Sequence, residues 1–338
     1  MIFLLPLIMS IIFSLYTPAQ VAEEAVLGQL SEGQKVGQLF IIGIDGTEVN
    51  DETRAKIEEL HPGGILLLGK NIETEGQVKK LISDLQAVAL EDTGLPLFIA
   101  VDQEGGLVNR ISFLEENTAQ RDIESEAEAF RVGLKRGEEL KELGINLNFS
   151  PLLDKVQKTD FIFERAFKSR EGSLGAAIIR GQKESGILSC IKHFPGYGEV
   201  SFNPEDSLAR RRGFPELKQF KKAMEARPEM VMVANVIYNE LEEVPFTFSK
   251  KGIDLLKEEL GKEPLVITDD LDQYSLLNNY SLKEIVTKPI IAGADMMIFS
   301  GWRLDPEEGV KTLRNSDLDI NLVNRAVLRI IKLKQKLK

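Results

Sequence analysis

Two adjacent aspartates, Asp269 and Asp270, directly follow the apolar run Leu265–Thr268. In such a pair one carboxylate can stay ionised as a nucleophile while the other orients or caps the chain. Retaining hydrolysis of a glycoside needs a nucleophilic carboxylate below the anomeric carbon and an acid/base group on the opposite side. An aspartate at a strand end is also a common helix N-cap, because its oxygen accepts exposed backbone N–H groups. The pair alone leaves both interpretations open.

Other charged side chains also come after apolar runs. Asp102 and Arg110 follow one run, Arg165 lies beyond the next, and Lys192 and His193 follow a third. A lone arginine is more often part of a surface ion pair, but capping alone does not explain so many polar residues at such positions. Carboxylates accept hydrogen bonds from hydroxyl groups, and cations donate charge-assisted ones. The set therefore predicts an uncharged, hydroxyl-rich ligand.

Eight short apolar runs must position these residues. They alternate with longer amphipathic segments, which is the pattern of parallel strands joined by helices. The predicted strands are Val36–Ile44, Gly63–Leu68, Leu97–Val101, Ile145–Phe149, Ile187–Ile191, Met230–Ile237, Leu265–Thr268 and Met296–Phe299. The predicted helices include Thr74–Leu90, Ser125–Leu143, Ser173–Ser185, Phe214–Ala226 and Asn321–Lys338.

Eight strand–helix units over about 300 residues predict an α/β fold, a single (β/α)₈ TIM-type barrel. An open doubly wound sheet is the alternative, and it usually has a glycine-rich phosphate turn after its first strand. The stretch Gly43-Ile44-Asp45-Gly46 is too short for that turn. In a barrel, chemistry takes place at the ends of the strands, where these charged residues fall.

Composition excludes several classes of function. The chain has 338 residues and a formal net charge of −11, so nucleic acid is not an expected partner, because phosphate binding needs a basic face. A single cysteine, Cys190, excludes an intrachain disulfide. Two histidines are too few for the common histidine-rich zinc sites.

The N-terminal stretch is apolar from Met1 to Tyr16 and is followed by Thr17-Pro18-Ala19-Gln20. Small residues after a short apolar run are typical of a secretory signal, here with cleavage near Ala19. An uncleaved anchor and an apolar end of a cytoplasmic protein are the alternatives, since the first basic residue is only Lys35. We expect residues 1–20 to be a signal peptide or anchor, residues 21–338 to form the barrel domain, and the protein to be exported.

Several motifs, taken in order, resemble the bacterial β-N-acetylglucosaminidase branch of glycoside hydrolase family 3. The most specific are Val101-Asp102-Gln103-Glu104-Gly105-Gly106, Lys192-His193-Phe194-Pro195-Gly196 and Ile267-Thr268-Asp269-Asp270-Leu271. The starting run Val36-Gly37-Gln38-Leu39-Phe40, Pro245-Phe246-Thr247-Phe248-Ser249 and Ala292-Gly293-Ala294-Asp295-Met296 add to the resemblance. It covers nearly all of the chain after the leader.

The resemblance implies that Asp269 is the nucleophile of a retaining β-N-acetylhexosaminidase. It also implies that five residues bind the terminal sugar, namely Asp102, Arg110, Arg165, Lys192 and His193. The family uses no metal and no organic cofactor. Its usual bacterial substrates are peptidoglycan fragments or chitooligosaccharides that end in a β-linked N-acetylglucosamine.

The acid/base position departs from the family pattern, in which an Asp-Ser-His run follows the fifth strand. Aligning Asp206-Ser207 with that run puts Leu208 in place of the histidine, whereas counting from Lys192 without a gap puts Glu205 there. A carboxyl near an apolar wall can act as a general acid, so Glu205, with Asp206 as the alternative, is the predicted replacement.

Other interpretations of the same residues remain. One is a non-catalytic carbohydrate-binding relative that has lost the acid/base histidine. Further departures favour an altered site, since Leu107, Tyr197 and Asn235 replace residues that the family usually has there. A β-glucosidase or β-xylosidase is a weaker alternative, because related β-glucosidases usually take their acid from a second domain. A barrel enzyme for phosphorylated substrates lacks support, since no glycine-rich turn follows the seventh strand.

Overall fold

Eight parallel strands close into a barrel in the computed structural model of this protein, which describes residues 17–169 and 171–337. The strands are β1 (Phe40–Gly43), β2 (Gly64–Leu67), β3 (Phe98–Val101), β4 (Leu147–Asn148), β5 (Leu188–Phe194), β6 (Met230–Val233), β7 (Leu265–Asp270) and β8 (Met296–Phe299). The barrel closes because β1 pairs in parallel with both β2 and β8. The predicted (β/α)₈ fold is confirmed.

Helices surround the strands on the outside of the barrel. They are α1 (Pro18–Gln29), α2 (Glu32–Gly37), α3 (Asp51–Leu60), α4 (Glu75–Thr93), α5 (Glu126–Leu143), α6 (Ser173–Ser185), α7 (Lys218–Ala223), α8 (Lys250–Leu260), α9 (Tyr274–Leu277), α10 (Leu282–Ala292), α11 (Pro306–Arg314) and α12 (Ile320–Lys334). Many begin at a side-chain cap, as Thr74 caps α4 and Ser125 caps α5 by accepting a backbone N–H. The same two helices end at Gly94 and Gly144, which adopt the left-handed conformation that glycine tolerates best.

Burial on both faces explains why the strands read as continuous apolar runs. Every residue of β1, β2, β3 and β8 is buried. Two predicted strands are shorter than expected. Val36 and Gly37 belong to α2, so β1 begins only at Phe40, and β6 ends at Val233, before a separate short strand at Val236–Tyr238.

Two small ladders brace the loops at the C-terminal rim of the barrel. Gln103–Gly105 pairs with Val108–Asn109 in antiparallel fashion after β3, and Ala209–Arg211 pairs with Val236–Tyr238 in parallel fashion. Gly105 has a φ of 84°, and a Cβ there would lie 2.1 Å from the Thr118 carbonyl oxygen. Only glycine fits this turn.

The opposite rim contains a buried lysine. Lys334, near the end of α12, is 2% exposed and donates a hydrogen bond to Gln38 Oε1 at 2.7 Å. Its Nζ also lies 5.4 Å from the centroid of the Phe98 ring. Burial lowers the pKa of this amine to about 7.

The predicted leader lies mainly on residues 1–16, outside the described residues. The described chain starts at Thr17, which caps α1, and this helix crosses the boundary predicted at residue 20. Across residues 17–169 and 171–337, no helix is long and apolar enough to cross a membrane.

Candidate active site

The C-terminal ends of the strands surround a cavity of about 610 Å³. Loops after β3, β4, β5, β7 and β8 contribute to its wall, as expected for the catalytic end of a barrel. The structure brings nearly all predicted site residues together here: Asp102, Arg110, Arg165, Lys192, His193, Glu205 and Asp269 line the cavity. Asp206 does not line it.

Asp269, at the end of β7, has both carboxylate oxygens fixed by hydrogen bonds. The backbone N–H of Asp270 donates to Oδ1 at 2.7 Å, and the Tyr197 hydroxyl donates to Oδ2 at 2.6 Å. The Tyr197 oxygen in turn accepts the Asn235 backbone N–H at 2.9 Å. Burial, together with the charge of Asp269, raises the pKa of Tyr197 well above its usual value, so the hydroxyl keeps its proton and donates it. The carboxylate is thus oriented in the cavity, as a nucleophile requires.

Asp270 has a different role from Asp269. Its Oδ1 accepts backbone N–H groups from Asp272 at 3.2 Å and from Ser300 at 3.1 Å. Burial and the neighbouring charge of Asp272 raise its pKa well above the usual value. The two aspartates thus divide the two roles expected of such a pair, since Asp270 orients the loops after β7 and β8.

Four charged side chains form a cluster that we call the ion cluster: Asp102, Glu104, Arg165 and Lys192. Lys192 Nζ lies 2.6 Å from Asp102 Oδ1 and 2.5 Å from Glu104 Oε1. Arg165 binds Glu104 through two contacts, Nη2 to Oε1 at 2.7 Å and Nε to Oε2 at 3.1 Å. Burial opposes ionisation of Glu104, but the charges of Arg165 and Lys192 outweigh it and hold the pKa of Glu104 far below its usual range.

The ion cluster fixes the direction of the sugar-binding groups. Lys192 is 1% exposed, and burial lowers its pKa while the charges of Asp102 and Glu104 raise it, with a net rise. Lys192 therefore stays cationic, and Asp102, with 18% of its side chain exposed, presents a carboxylate to the cavity. Charged groups held in this way suit the hydroxyl groups of a sugar.

Asp154, in the loop after β4, positions two residues of the cavity wall. Its Oδ2 accepts the His193 backbone N–H at 3.0 Å and also lies 3.0 Å from His193 Nδ1. Its Oδ1 accepts the Tyr197 backbone N–H at 2.6 Å. The His193 and Tyr197 rings meet edge to face, with centroids 4.9 Å apart. One carboxylate thus aligns a sugar-binding residue and the partner of Asp269.

The loop after β5 folds over the cavity and carries the predicted acid/base residues. Asn203, Pro204 and Glu205 line the wall. Glu205 Oε2 accepts a hydrogen bond from Arg303 Nη2 at 2.9 Å, and the Glu205 carbonyl accepts the Ser275 N–H at 2.8 Å. Asp206 Oδ1 is 3.9 Å from the same Arg303 nitrogen, with 61% of its side chain exposed. The geometry therefore favours Glu205 over Asp206.

Close backbone packing ties this loop to its neighbour after β4. A Cβ at Gly198 would lie 2.0 Å from the Lys155 carbonyl oxygen, so glycine is needed at this contact. The Phe161 N–H also donates to the Val200 carbonyl at 2.8 Å. The wall containing Glu205 is thus joined to the loops after β4, β7 and β8.

Several residues of the site went unassigned in the sequence analysis. Glu104, Asp154, Tyr197, Asp272 and Arg303 all orient cavity groups. Glu104 and Asp154 stood at strand ends, which was a usable signal, whereas the isolated arginine at 303 gave none. Among the described residues, no group of three or more His, Cys, Asp or Glu side chains is arranged to hold a metal ion.

A (β/α)₈ barrel with an oriented aspartate beside a cluster of sugar-binding charges defines a class of carbohydrate-active enzymes. Residues 32–333 match the glycosyl hydrolase family 3 N terminal domain. The chain belongs to glycoside hydrolase family 3, as its motifs predicted.

Similar proteins agree with this placement. A β-hexosaminidase of Idiomarina loihiensis is 30% identical over 278 residues, which span 77% of this chain and 82% of the relative. The solved structure of a family 3 β-N-acetylglucosaminidase from Paenibacillus sp. str. FPU-7 has a TM-score of 0.84 and 30% identity over 91% of this chain, which spans 63% of that enzyme. A β-N-acetylhexosaminidase from Beutenbergia cavernae has a TM-score of 0.82 and 26% identity, over 90% of this chain and 99% of the other.

Proposed function

We propose that this protein hydrolyses terminal β-linked N-acetylglucosamine from saccharides with retention at the anomeric carbon. The observation that carries the proposal is the Asp269 carboxylate, fixed by two hydrogen bonds in a cavity that also contains the ion cluster. The β-hexosaminidases and β-N-acetylglucosaminidases that the chain resembles support the choice of sugar. This support favours a catalytic protein over a non-catalytic sugar-binding relative.

The first step forms a covalent glycosyl-enzyme. A carboxylate oxygen of Asp269 attacks the anomeric carbon, and the bond from that carbon to the leaving oxygen breaks. The leaving oxygen takes a proton from Glu205, which lines the same cavity and is oriented by Arg303. Tyr197 keeps its proton throughout and orients Asp269.

The second step reverses these roles. Glu205, now ionised, accepts a proton from water as the water oxygen attacks the anomeric carbon. The bond to Asp269 breaks, and the sugar leaves with its original configuration. During both steps Asp102, Arg110, Arg165, Lys192 and His193 bind the hydroxyl groups of the terminal sugar, as the family motifs imply.

The cellular setting is also part of the proposal. The apolar run from Met1 to Tyr16 supports export of the protein, by cleavage or by anchoring. An exported enzyme of this kind would act on sugars derived from peptidoglycan or chitin outside the cytoplasm.

The test compares the full-length protein with Asp269→Ala and Glu205→Gln on two substrates. 4-Nitrophenyl β-N-acetylglucosaminide has a good leaving group, whereas N,N′-diacetylchitobiose needs protonation of its leaving oxygen. We expect Asp269→Ala to abolish both reactions. Glu205→Gln should lose roughly 10²–10⁴-fold on chitobiose, the usual contribution of acid/base catalysis, and less in the bond-breaking step on the aryl substrate.

Asp206→Asn is the matched control, because this neighbouring carboxylate lies outside the cavity wall. Its rates should stay close to those of the parent protein. A large loss in Asp206→Asn with none in Glu205→Gln would reverse the acid/base assignment. No turnover of either substrate by the parent protein would refute the proposed function.

A further inference from the structure

Large apolar side chains that remain exposed are concentrated on the loops around the catalytic cavity. Among the described residues, this group on the catalytic rim comprises Leu107, Phe113, Phe161, Phe202, Tyr274 and Trp302. Exposed apolar residues scattered singly are ordinary, but a group of them around a cavity marks a binding surface.

Two of these aromatic residues also form part of the cavity wall. Trp302, in the loop after β8, is 65% exposed, and Phe161, in the loop after β4, is 52% exposed. Neither ring is covered by the protein's own core. Aromatic rings with an open face are well suited to pack against the apolar C–H face of a pyranose, since ligand sites combine such surfaces with a few oriented polar groups.

Both aromatic residues sit on backbone that is already fixed. The Trp302 N–H donates to Asp272 Oδ2 at 2.7 Å, and the same oxygen accepts the Arg303 N–H at 3.1 Å. The Phe161 N–H donates to the Val200 carbonyl at 2.8 Å. A preformed surface loses less entropy when a ligand binds, so these contacts favour binding over simple exposure.

Trp302 also lies beside the residue that orients the predicted acid/base. It precedes Arg303 directly, and the Arg303 guanidinium donates to Glu205 at 2.9 Å. The acid/base protonates the leaving oxygen, so the group next to it is the one that departs. The exposed rings are therefore on the side of the leaving group, away from the sugar that Asp269 attacks.

We infer that Trp302 and Phe161 form a binding site for the leaving group, and that this group is a second pyranose ring. The inference rests on the proposed function and narrows its substrate to oligosaccharides, with a sugar rather than an aryl or peptide group next to the scissile bond. The two rings bind it by stacking, so they set specificity and take no part in proton transfer.

The sequence provides a direct probe, because Trp302 is the single tryptophan of the chain. Fluorescence excited at long wavelength then reports on this residue alone. We would titrate the full-length Asp269→Asn protein, in which turnover is blocked, with N,N′,N″-triacetylchitotriose and with N-acetylglucosamine. The trisaccharide should produce a saturable change in emission, and the monosaccharide, which fills only the terminal-sugar site, should not.

Kinetics provide the second test, with chitotriose compared with N-acetyl-β-glucosaminyl fluoride, whose leaving group is a single atom. In Trp302→Ala and Phe161→Ala, we expect kcat/KM to fall about tenfold more on chitotriose than on the fluoride, equivalent to about 1.4 kcal/mol. Trp302→Phe should recover most of the loss. Phe113→Ala removes an exposed ring outside the cavity wall and is the matched control, with no change on either substrate.

The outcomes separate this inference from the proposed function. If the parent protein hydrolyses both substrates but the ring variants lose equally on each, or lose nothing, the leaving-group site is refuted. An emission change of the same size with the monosaccharide would also overturn it. If the parent protein hydrolyses neither substrate, the proposed function fails, while the emission titration still tests sugar binding at Trp302.

Discussion

Replacing the buried Lys334 by methionine should remove a pH dependence of stability from the protein. The amine is 2% exposed, its hydrogen bond goes to the neutral Gln38 side chain, and burial lowers its pKa to about 7 from the usual 10.5. The unfolded chain therefore binds more protons than the folded one between these two values. Stability rises with pH wherever the unfolded state binds more protons, so the contribution of Lys334 becomes less unfavourable from pH 7 to pH 10.5.

The magnitude follows from the two pKa values. Integrating the difference in bound protons gives an unfavourable contribution on the order of 4 kcal/mol at pH 7, which falls to about 2 kcal/mol at pH 9. Methionine has no such titration. It also leaves Gln38 Oε1 without its donor, at a cost of about 1–3 kcal/mol that does not depend on pH in this range. The change with pH of the difference between the two proteins thus isolates the amine.

Urea unfolding at pH 7 and pH 9, followed by circular dichroism and by Trp302 emission, measures this quantity. We expect the free energy of unfolding of the parent protein to gain about 2 kcal/mol on Lys334→Met between the two pH values. Lys332→Met, at a position on α12 whose side chain is 65% exposed, is the control and should gain nothing. A difference between parent and Lys334→Met that stays constant within about 0.5 kcal/mol would refute the buried neutral amine.

Three further predictions concern the site and its surroundings. Tyr197→Phe removes the hydroxyl that orients Asp269 and leaves the Asn235 N–H without its acceptor; a charge-assisted hydrogen bond contributes about 1.5–3 kcal/mol, so kcat/KM should fall roughly 10- to 100-fold, and unchanged kinetics would contradict the role of Tyr197. Glu104→Gln leaves Arg165 and Lys192 without their shared buried carboxylate and should cost about 3–5 kcal/mol of stability near neutral pH. Because the pKa of Glu104 is lowered in the folded protein, its contribution is present above its ordinary value of 4.5 and is lost as the pH falls below that value, so urea unfolding should show the two proteins converging in acid. Burial raises the pKa of the Cys190 thiol, so 5,5′-dithiobis(2-nitrobenzoate) should react with one thiol in denaturant and with none in the native protein.

The strands could be predicted from sequence because burial on both faces produces uninterrupted apolar runs. The errors come from the same signal. Val36 is apolar and buried, so it extended the first run, although it belongs to helix α2. An apolar run does not distinguish a buried helix end from a strand. At β6, the run continued through Ala234, where the chain leaves the barrel ladder to donate to the Phe194 carbonyl.

The site could be predicted only as a set of residues at strand ends. Which groups pair depends on closure of the barrel. Glu104 and Arg165 are 61 residues apart, and Tyr197 and Asp269 are 72 apart, yet each pair is in hydrogen-bond contact. Tyr197 appeared in the sequence only as a departure from a motif, and the structure shows it as the partner of Asp269. Arg303 could not be assigned, since nothing near it in sequence indicates that it binds Glu205 from another loop.

The Asp272 carboxylate has a consequence for how enzymes like this one diverge. It accepts hydrogen bonds from the backbone of Trp302 and Arg303 and from the Ser300 hydroxyl at 3.2 Å. The ring proposed to read the departing sugar and the cation that orients the proton donor therefore share one support and are neighbours in the chain. A lineage cannot remodel one without disturbing the other, so sequences that exchange Trp302 should exchange Arg303 and Glu205 with it. Shifts of substrate and of catalytic apparatus would then arrive as a single evolutionary event, recorded as covariation among these three positions.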